Sequence, residues 1–209
     1  MNTFTVGSCV RFGWETFKKR PWFFVAFTIV YIVVSWAISF VVGLIAGQGH
    51  ALTSLISLPF NALLTMGLIA SILKAHDNVE AVRIADLWHP QHYWNYLIAY
   101  IVIVFSVLIG LVLLIVPGII IGIMFGFAPY LVIERSLGPI EAIKESMRIT
   151  KGHRWDLFVL ALANIGIAIV GFICLFVGMF VAIPIILLAS VHAYRTLSKI
   201  TEAVPTPAV

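Results

Sequence analysis

The stretch that decides the fold runs from Leu87 to Ile133 and reads LWHPQHYWNYLIAYIVIVFSVLIGLVLLIVPGIIIGIMFGFAPYLVI. Its 47 residues include no Asp, Glu, Lys or Arg. A helix needs about 20 residues to cross a bilayer, because each residue adds about 1.5 Å along the axis. The stretch is too long to cross once, so we expect two crossings with a turn at Val116-Pro117-Gly118.

Two more segments without charged residues flank this one, at residues 21–73 and 157–194. They contain 53 and 38 residues, and even the shorter one would span roughly 57 Å as a helix. Turn signals fall at Gly47-Gln48-Gly49-His50 and at Val177-Gly178. The sequence therefore predicts an all-α, polytopic membrane protein with six transmembrane helices in three hairpins. The approximate helix bounds are 22–46, 52–73, 93–116, 118–133, 157–177 and 179–195.

Composition and charge placement agree with this class. Hydrophobic residues make up 62% of the chain and charged residues 11%, against about 25% charged in ordinary soluble domains. The net charge of +4 does not indicate a nucleic-acid partner, because the basic residues are scattered between apolar segments instead of forming one folded surface. All 13 Lys and Arg lie outside the three segments. Positive charge marks the cytoplasmic side of a membrane, which predicts that both termini are cytoplasmic.

The three segments resemble one another and predict a pseudo-threefold repeat in a single transmembrane domain, residues 1–200. Each unit has an amphipathic stretch that we expect to lie as an interfacial helix, an aromatic-led helix, a tight turn, and a second helix with a proline. The prolines are Pro59, Pro129 and Pro184. The units cover about 5–73, 79–134 and 139–199, and residues 201–209 are predicted to be a short flexible tail.

Several loop phrases carry a family resemblance. They are Trp14-Glu15-Thr16-Phe17, Ala85-Asp86-Leu87-Trp88, Val116-Pro117-Gly118, the run from Ala142 to His153 (AIKESMRITKGH), and Ala193-Tyr194-Arg195. With these the chain resembles a group of bacterial six-span proteins related to the membrane domain of some glycerophosphodiester phosphodiesterases. The resemblance implies a six-span fold in the bacterial cytoplasmic (inner) membrane. It implies no phosphodiesterase activity, because the catalytic barrel would be a further domain of roughly 250 residues.

Reactive groups are missing from the apolar segments. Proton relays and ion-coupled transport usually need ionisable side chains at membrane depth, and these segments contain no Asp, Glu, Lys or Arg. Two sets of residues that include histidine, near the ends of the spans, are candidates for a metal site or a catalytic pair. His76, His89 and His92 could form a metal site, but Pro90 disrupts the helical spacing of the last two; Ser190 and His192 face different sides of one helix, which argues against a hydrolase pair. We therefore expect no catalytic residue, no metal and no cofactor.

Two sets of residues are candidates for binding. Basic side chains near an interfacial helix attract anionic headgroups, and this set is Arg135, Lys144, Arg148, Lys151 and Arg154. Polar side chains spaced by four residues share one face of the second helix, with a partner in the fifth helix: Thr53, Ser57, Asn61, Thr65 and Asn164. The second set either lines a groove for an amphiphile or makes hydrogen bonds between helices.

The function predicted first is a non-enzymatic inner-membrane protein that binds lipids or partner proteins as a scaffold. Its expected partners are membrane lipids, including anionic ones, and a second copy or another membrane protein. The alternative is a facilitator or exporter of an amphiphilic small molecule that uses the Thr53 to Thr65 face. A third hypothesis, an enzyme acting on lipid at the interface, would need a nucleophile and a base near His153 or His192.

Overall fold

The computed structural model describes residues 4–46, 50–88, 91–174 and 177–203, and this part of the chain is helical without strands. Its helices are α1 (Val6–Lys19), α2 (Pro21–Ala46), α3 (His50–Asp77), α4 (Tyr93–Leu113), α5 (Ile115–Phe125), α6 (Ala128–Arg135), α7 (Pro139–Thr150), α8 (Arg154–Ile173) and α9 (Val177–Ala203). Two short 3₁₀ turns, Val79–Ala81 and Ile84–Leu87, precede α4. Six helical segments are long and apolar enough to cross a membrane, with α5 and α6 counted as one. The predicted all-α, six-span class is confirmed.

The second turn lies earlier than predicted. α4 ends at Leu113 and α5 begins at Ile115, so Pro117 and Gly118 belong to the first turn of α5. Proline is tolerated there because its missing N–H would have no partner in a first turn. Gly118 is needed for close packing instead, since a Cβ on it would lie 2.6 Å from the side chain of Leu111.

The third turn also differs from its prediction. α8 ends at Ile173 and α9 begins at Val177, which places Gly178 inside α9. A Cβ on Gly178 would lie 2.5 Å from the carbonyl oxygen of Gly171, so this glycine lets α8 and α9 approach each other. The predicted turn residues Gly47, Gln48 and Gly49 lie outside the described residues.

The predicted helix 118–133 is broken. α5 ends at Phe125 and α6 begins at Ala128, with Pro129 in the first turn of α6. A proline cannot continue a helical hydrogen-bond ladder and its ring clashes with the carbonyl four residues earlier. Ser146 of α7 occupies the break: its Oγ donates to the Met124 carbonyl (2.7 Å) and accepts from the Phe127 N–H (3.2 Å). The backbone groups freed by the break are thus satisfied by the neighbouring helix.

The helices form an inner and an outer set. Half or more of the apolar window is buried in α3 and α9 and a third in α5 with α6, whereas only 17% is buried in α2, α4 and α8. The outer helices begin with strongly exposed tryptophans, Trp22 at 85%, Trp94 at 72% and Trp155 at 73%. Exposed Trp is typical of side chains at the membrane surface. The helices α2, α4 and α8 begin at one end of the bundle, and α3, α6 and α9 finish at that same end. We call it the charged end.

Packing between the predicted units follows a cyclic order. The amphipathic helix α1 packs on α9, the 3₁₀ turn Ile84–Leu87 packs on α3, and α7 packs on α5 and α6. The outer helices follow the same order, with α2 on α9, α4 on α3 and α8 on α5. In every case an element that opens one unit contacts the second helix of the unit before it. A threefold repeat would produce this order, although the repeat itself stays a prediction.

The ends of α3 and α9 reach further than predicted. α3 continues to Asp77 and α9 to Ala203, four and eight residues past the expected bounds of 73 and 195. Residues 201–203, expected in the tail, therefore belong to the last helix, and the remainder of the predicted tail lies outside the described residues. Polar side chains on these extensions meet at the charged end.

Candidate functional site

A guanidinium joins the three inner helices at the charged end. Arg195 of α9 donates from Nη2 to Oδ2 of Asp77 at the end of α3 (2.8 Å), and its Nη1 contacts the carboxylate of Glu134 in α6. Arg195 and Glu134 are each 24% exposed, whereas Asp77 is 60% exposed. Because three separate helices meet at this one side chain, Arg195 ties the charged end of the bundle together.

Arg135, predicted as a lipid-headgroup ligand, is used inside the protein. Its guanidinium contacts the Ser198 hydroxyl and the Glu202 carboxylate of α9, and it lies 3.5 Å from Glu145 of α7. These contacts join α6 and α7 to the last helix. A headgroup would have to compete with two carboxylates for this arginine.

Arg148, also a predicted headgroup ligand, is paired within α7. Its Nε and Nη2 atoms donate to the two carboxylate oxygens of Glu145, both at 2.7 Å. The hydrogen bonds from Arg148 hold the pKa of Glu145 below its usual value, although partial burial opposes this. The same pairing raises the pKa of Arg148. Such a two-pronged pair satisfies much of the charge that a headgroup would seek.

The remaining predicted headgroup ligands are exposed. Lys144 of α7, Lys151 in the loop after it, and Arg154 at the start of α8 all face outward. Within the described part of the chain, none of these three side chains makes an ion pair or a hydrogen bond. They are the members of the predicted set that can meet an external anion.

An apolar groove between α5 and α8 begins beside one of these cations. A cavity of about 420 Å³ has Arg154 and Trp155 among its lining residues, together with Phe158 and residues of α5. A second cavity of about 370 Å³ shares Ile119 and Ile123 with the first and continues to Asn164 of α8 and Ser190 of α9. We call these two adjoining cavities the α5–α8 groove. Its wall is apolar apart from Arg154 in the first cavity, and Asn164 and the hydroxyls of Tyr130 and Ser190 in the second.

The predicted polar stripe on α3 is engaged with α2. The Ser35 hydroxyl donates to Oδ1 of Asn61 (2.7 Å), and the hydroxyls of Tyr31 and Thr65 lie 3.3 Å apart. Nδ2 of Asn61 donates to the Ser57 carbonyl one turn earlier, and Thr53 and Ser57 also have partners. These contacts favour the interhelical hydrogen-bond interpretation over a polar path.

Asn164 does not join this stripe. Its Nδ2 donates to the Ser190 hydroxyl of α9 at 3.4 Å, and its Oδ1 is buried without a hydrogen-bond partner in the structure. The Ser190 hydroxyl itself donates to the Ile186 carbonyl. The structure therefore places Asn164 in the α5–α8 groove, with its hydrogen-bond partner on α9 and not on α3.

Two histidines that the sequence assigned to separate groups meet in the structure. Nε2 of His76 lies 3.2 Å from Nδ1 of His192, and Nδ1 of His76 lies 3.2 Å from a carboxylate oxygen of Asp77. A carboxylate can only accept, so with a neutral ring Nδ1 of His76 donates to Asp77 and its Nε2 accepts from His192. The ring of Phe12 stacks on His192 at a centroid distance of 4.2 Å.

The partner of His76 is therefore not one of the other two histidines of the candidate metal site. His92 immediately precedes α4, has a φ of 60°, and is not a partner of His76. His89 lies outside the described residues. Among the described residues, no cluster of three or more His, Cys, Asp or Glu has a geometry suited to a metal ion.

Comparison with known proteins places the chain in a family. The model of DUF975, described as a protein of unknown function, matches residues 84–201, which is more than half of the chain. This chain belongs to the DUF975 family. The matched region of the DUF975 protein includes the α5–α8 groove, the glutamate and arginine residues of α6, and the charged end of α9.

Relatives of this DUF975 protein occur in mycobacteria. An uncharacterised protein of Mycobacterium bovis is 27% identical over 243 aligned residues, which cover 99% of this chain and 73% of that protein. Uncharacterised proteins from two strains of Mycobacterium tuberculosis match with the same values. No solved structure matches the chain.

Proposed function

We propose that this DUF975 protein is a non-enzymatic component of the bacterial cytoplasmic membrane that binds an anionic phospholipid in the α5–α8 groove. The six apolar spans support the membrane location, and the resemblance to the membrane domain of some phosphodiesterases supports a membrane role without catalysis. The concentration of Lys and Arg at the charged end supports a cytoplasmic position for that end and for both termini.

The observation that carries the proposal is the position of Arg154. Its guanidinium makes no ion pair within the described residues and lines the groove together with Trp155. Tryptophan at this level is typical of the boundary between acyl chains and headgroups. A phosphodiester anion at the groove mouth would pair with Arg154, while one acyl chain would lie against Ile119, Ile120 and Phe158.

Two other basic side chains would strengthen the attraction of an anionic lipid to this end of the protein. Lys151 lies three residues before Arg154, and Lys144 is exposed on α7. Each basic side chain near a membrane surface contributes about 1 kcal/mol to the attraction of anionic lipid. By contrast, Arg135 and Arg148 already have carboxylate partners. We therefore narrow the predicted headgroup site to Lys144, Lys151 and Arg154.

Other forms of the function have less support. The facilitator hypothesis relied on the Thr53 to Thr65 face, and the hydrogen bonds of Asn61 and Thr65 go to α2 or to their own helix. A homo-oligomer or a partner membrane protein stays a prediction that the exposed faces of the outer helices would allow.

Native mass spectrometry of the purified protein with equal amounts of phosphatidylglycerol and phosphatidylcholine tests the proposal. We expect the unsubstituted protein to retain phosphatidylglycerol preferentially, and the double variant K151Q/R154Q to lose that preference. The matched control is K18Q/K19Q, which removes the same charge from the exposed face of α1. Retention that is equal in both double variants would refute the proposal, as would a preference for neutral lipid in the unsubstituted protein.

A further inference from the structure

A further cavity, at the charged end, is separate from the α5–α8 groove. It has a volume of about 460 Å³, lies between the ends of α3 and α9, and shares no lining residue with the groove. Its lining residues are His76, His192, Arg195, Thr196, Lys199, Ile200 and Ala203. Small-molecule pockets have volumes of about 300 to 1,000 Å³, so this cavity is large enough for a small organic ligand.

The lining residues are suited to an anion. Arg195, Thr196 and Lys199 have side chains that can donate a hydrogen bond to a ligand, and none of the seven lining residues is acidic. Lys199 is exposed and makes no ion pair within the described residues. The carboxylates of Asp77 and Glu134 more than neutralise Arg195, so Lys199 is the basic residue of the cavity wall without a carboxylate partner among the described residues.

Four lining residues of the cavity share one face of α9. His192, Thr196, Lys199 and Ala203 follow one another by four, three and four residues along α9, which puts them on one face. On the other side of the cavity, the Asp77 carboxylate fixes the ring of His76, and His76 fixes His192. Stacking of Phe12 on His192 further restricts that imidazole. These contacts fix the histidine side of the cavity wall, so that side needs little reordering when a ligand arrives, which favours binding.

We propose that this cavity binds the phosphate group of a phosphate monoester. Lysine is a common point-charge ligand of phosphate, and hydroxyl and guanidinium groups supply directed hydrogen bonds to its oxygens. The cavity is much larger than a bare phosphate ion, and Ile200 and Ala203 give part of it an apolar wall. A phosphate that carries a small organic group therefore fits better than inorganic phosphate. The monoester is either a water-soluble molecule or the headgroup of a lipid such as phosphatidic acid.

Binding would also stabilise the bundle. The cavity spans α3 and α9, so a ligand there contacts two of the three inner helices that Arg195 connects. A ligand that binds only the folded state raises the free energy of unfolding in proportion to the logarithm of its concentration above Kd. A rise in melting temperature with added phosphate monoester would thus accompany binding.

The test uses the full chain in nanodiscs of phosphatidylcholine and measures binding by isothermal titration calorimetry. n-Propyl phosphate serves as the soluble probe, and nanodiscs that contain phosphatidic acid, followed by native mass spectrometry, serve as the lipid probe. We expect saturable binding of at least one probe and a loss of about tenfold or more in affinity for K199Q, because the variant loses a charge-assisted hydrogen bond to the phosphate. The conservative variant K199R should restore much of that loss.

Matched controls separate this site from the groove. K19Q removes an exposed lysine of α1, and T196V removes a hydroxyl while preserving shape; we expect K19Q to bind normally and T196V to bind more weakly. K151Q/R154Q should leave binding of n-propyl phosphate unchanged, because those residues do not line this cavity. Binding of phosphatidic acid alone, weakened by K199Q, would assign the site to a lipid headgroup. No saturable binding of either probe, or equal binding by K199Q, would overturn the proposal.

Discussion

Arg195 and Asp77, which are 118 residues apart in the sequence, meet through a hydrogen bond of 2.8 Å from Nη2 to Oδ2. The same guanidinium contacts Glu134, so one side chain connects α3, α6 and α9. The two carboxylate partners of Arg195 differ in exposure: Asp77 is largely exposed, and Glu134 is largely covered. Water can replace a lost partner at Asp77 far more easily than at Glu134.

Substitutions in this network should therefore have graded effects on stability. We expect Arg195→Gln to lower the free energy of unfolding most, by about 2 to 4 kcal/mol, because it leaves the covered carboxylate of Glu134 without its partner. Glu134→Gln should have an intermediate effect, and Asp77→Asn should cost less than about 1 kcal/mol because that pair is exposed. Thermal unfolding in mild detergent measures the order. An equal loss in Asp77→Asn and Arg195→Gln would contradict it.

A glycine on α3 should tolerate no side chain. A Cβ on Gly67 would lie 1.8 Å from the carbonyl oxygen of Leu87 in the 3₁₀ turn that packs on α3. Gly67→Ala should thus displace this turn and lower the free energy of unfolding by about 1 to 3 kcal/mol, the usual cost of overpacking.

The matched control is Gly166→Ala in α8, where a Cβ meets nothing within 4 Å. We expect that change to be neutral or stabilising, by up to about 1 kcal/mol, because alanine favours a helix. Thermal unfolding of both variants under the same detergent conditions checks the pair. Destabilisation of similar size in both would show that the contact with Leu87 is not the cause.

The contribution of Glu145 should depend on pH in a defined direction. Its pKa is lowered in the folded protein from an ordinary value of 4.5, first by the hydrogen bonds from Arg148. A carboxyl with a lowered folded pKa stabilises fully above its unfolded pKa, and this contribution is lost as the pH falls through the folded pKa. We therefore expect the amides of α7 to be strongly protected from hydrogen exchange at neutral pH. At a pH well below 4.5 we expect less protection, relative to the slower intrinsic exchange of acid solution. Glu145→Gln should already exchange faster at neutral pH, whereas the exposed Glu80→Gln should not.

The two cysteines should differ in reactivity. Cys9 of α1 is fully buried, and burial raises its pKa to about 11, whereas Cys174 is exposed in the turn after α8. Maleimides attack the thiolate at accessible positions. In detergent we expect rapid labelling of Cys174 and labelling of Cys9 only after unfolding. Rapid labelling of Cys9 in the folded protein would contradict the packing of α1 on α9.

The same thiol reports the orientation of the chain. Cys174 lies at the opposite end of α8 from Trp155 and the charged end. A membrane-impermeant maleimide should label Cys174 on intact spheroplasts if the charged end is cytoplasmic. A marker at an exposed α1 position, Gly7→Cys in a Cys174→Ser background, should then react only after permeabilisation. The reverse pattern would show that the termini face outward.

The bounds of the spans could be predicted closely from the sequence, and the positions of the turns less closely. The start of α4 at Tyr93 matches the predicted start at residue 93, and α2 ends at the predicted residue 46. Gly118 and Gly178 were interpreted as turn residues, but each serves the close approach of two helices. A glycine near the middle of an apolar segment satisfies either role, and only the neighbouring helix decides between them.

The sequence by itself determined that this protein is a bundle of six apolar helices with its charge at one end. That result is local, because a segment of about 20 apolar residues is driven into a bilayer whatever its neighbours are. It also limited the charged candidates for binding to the loops and the ends of the spans. The identity of the basic candidates followed from this, although not which of them are paired.

Only the tertiary structure decided which polar groups meet. His76 with His192, Arg195 with Glu134, and Ser35 with Asn61 join residues far apart in the chain. A helix that is apolar all round has no pattern to show which side faces lipid and which faces another helix, so its rotation follows from packing alone. Helix packing pairs Arg135 of α6 with Glu145 of α7 and Glu202 of α9, and it leaves Arg154 exposed beside a groove.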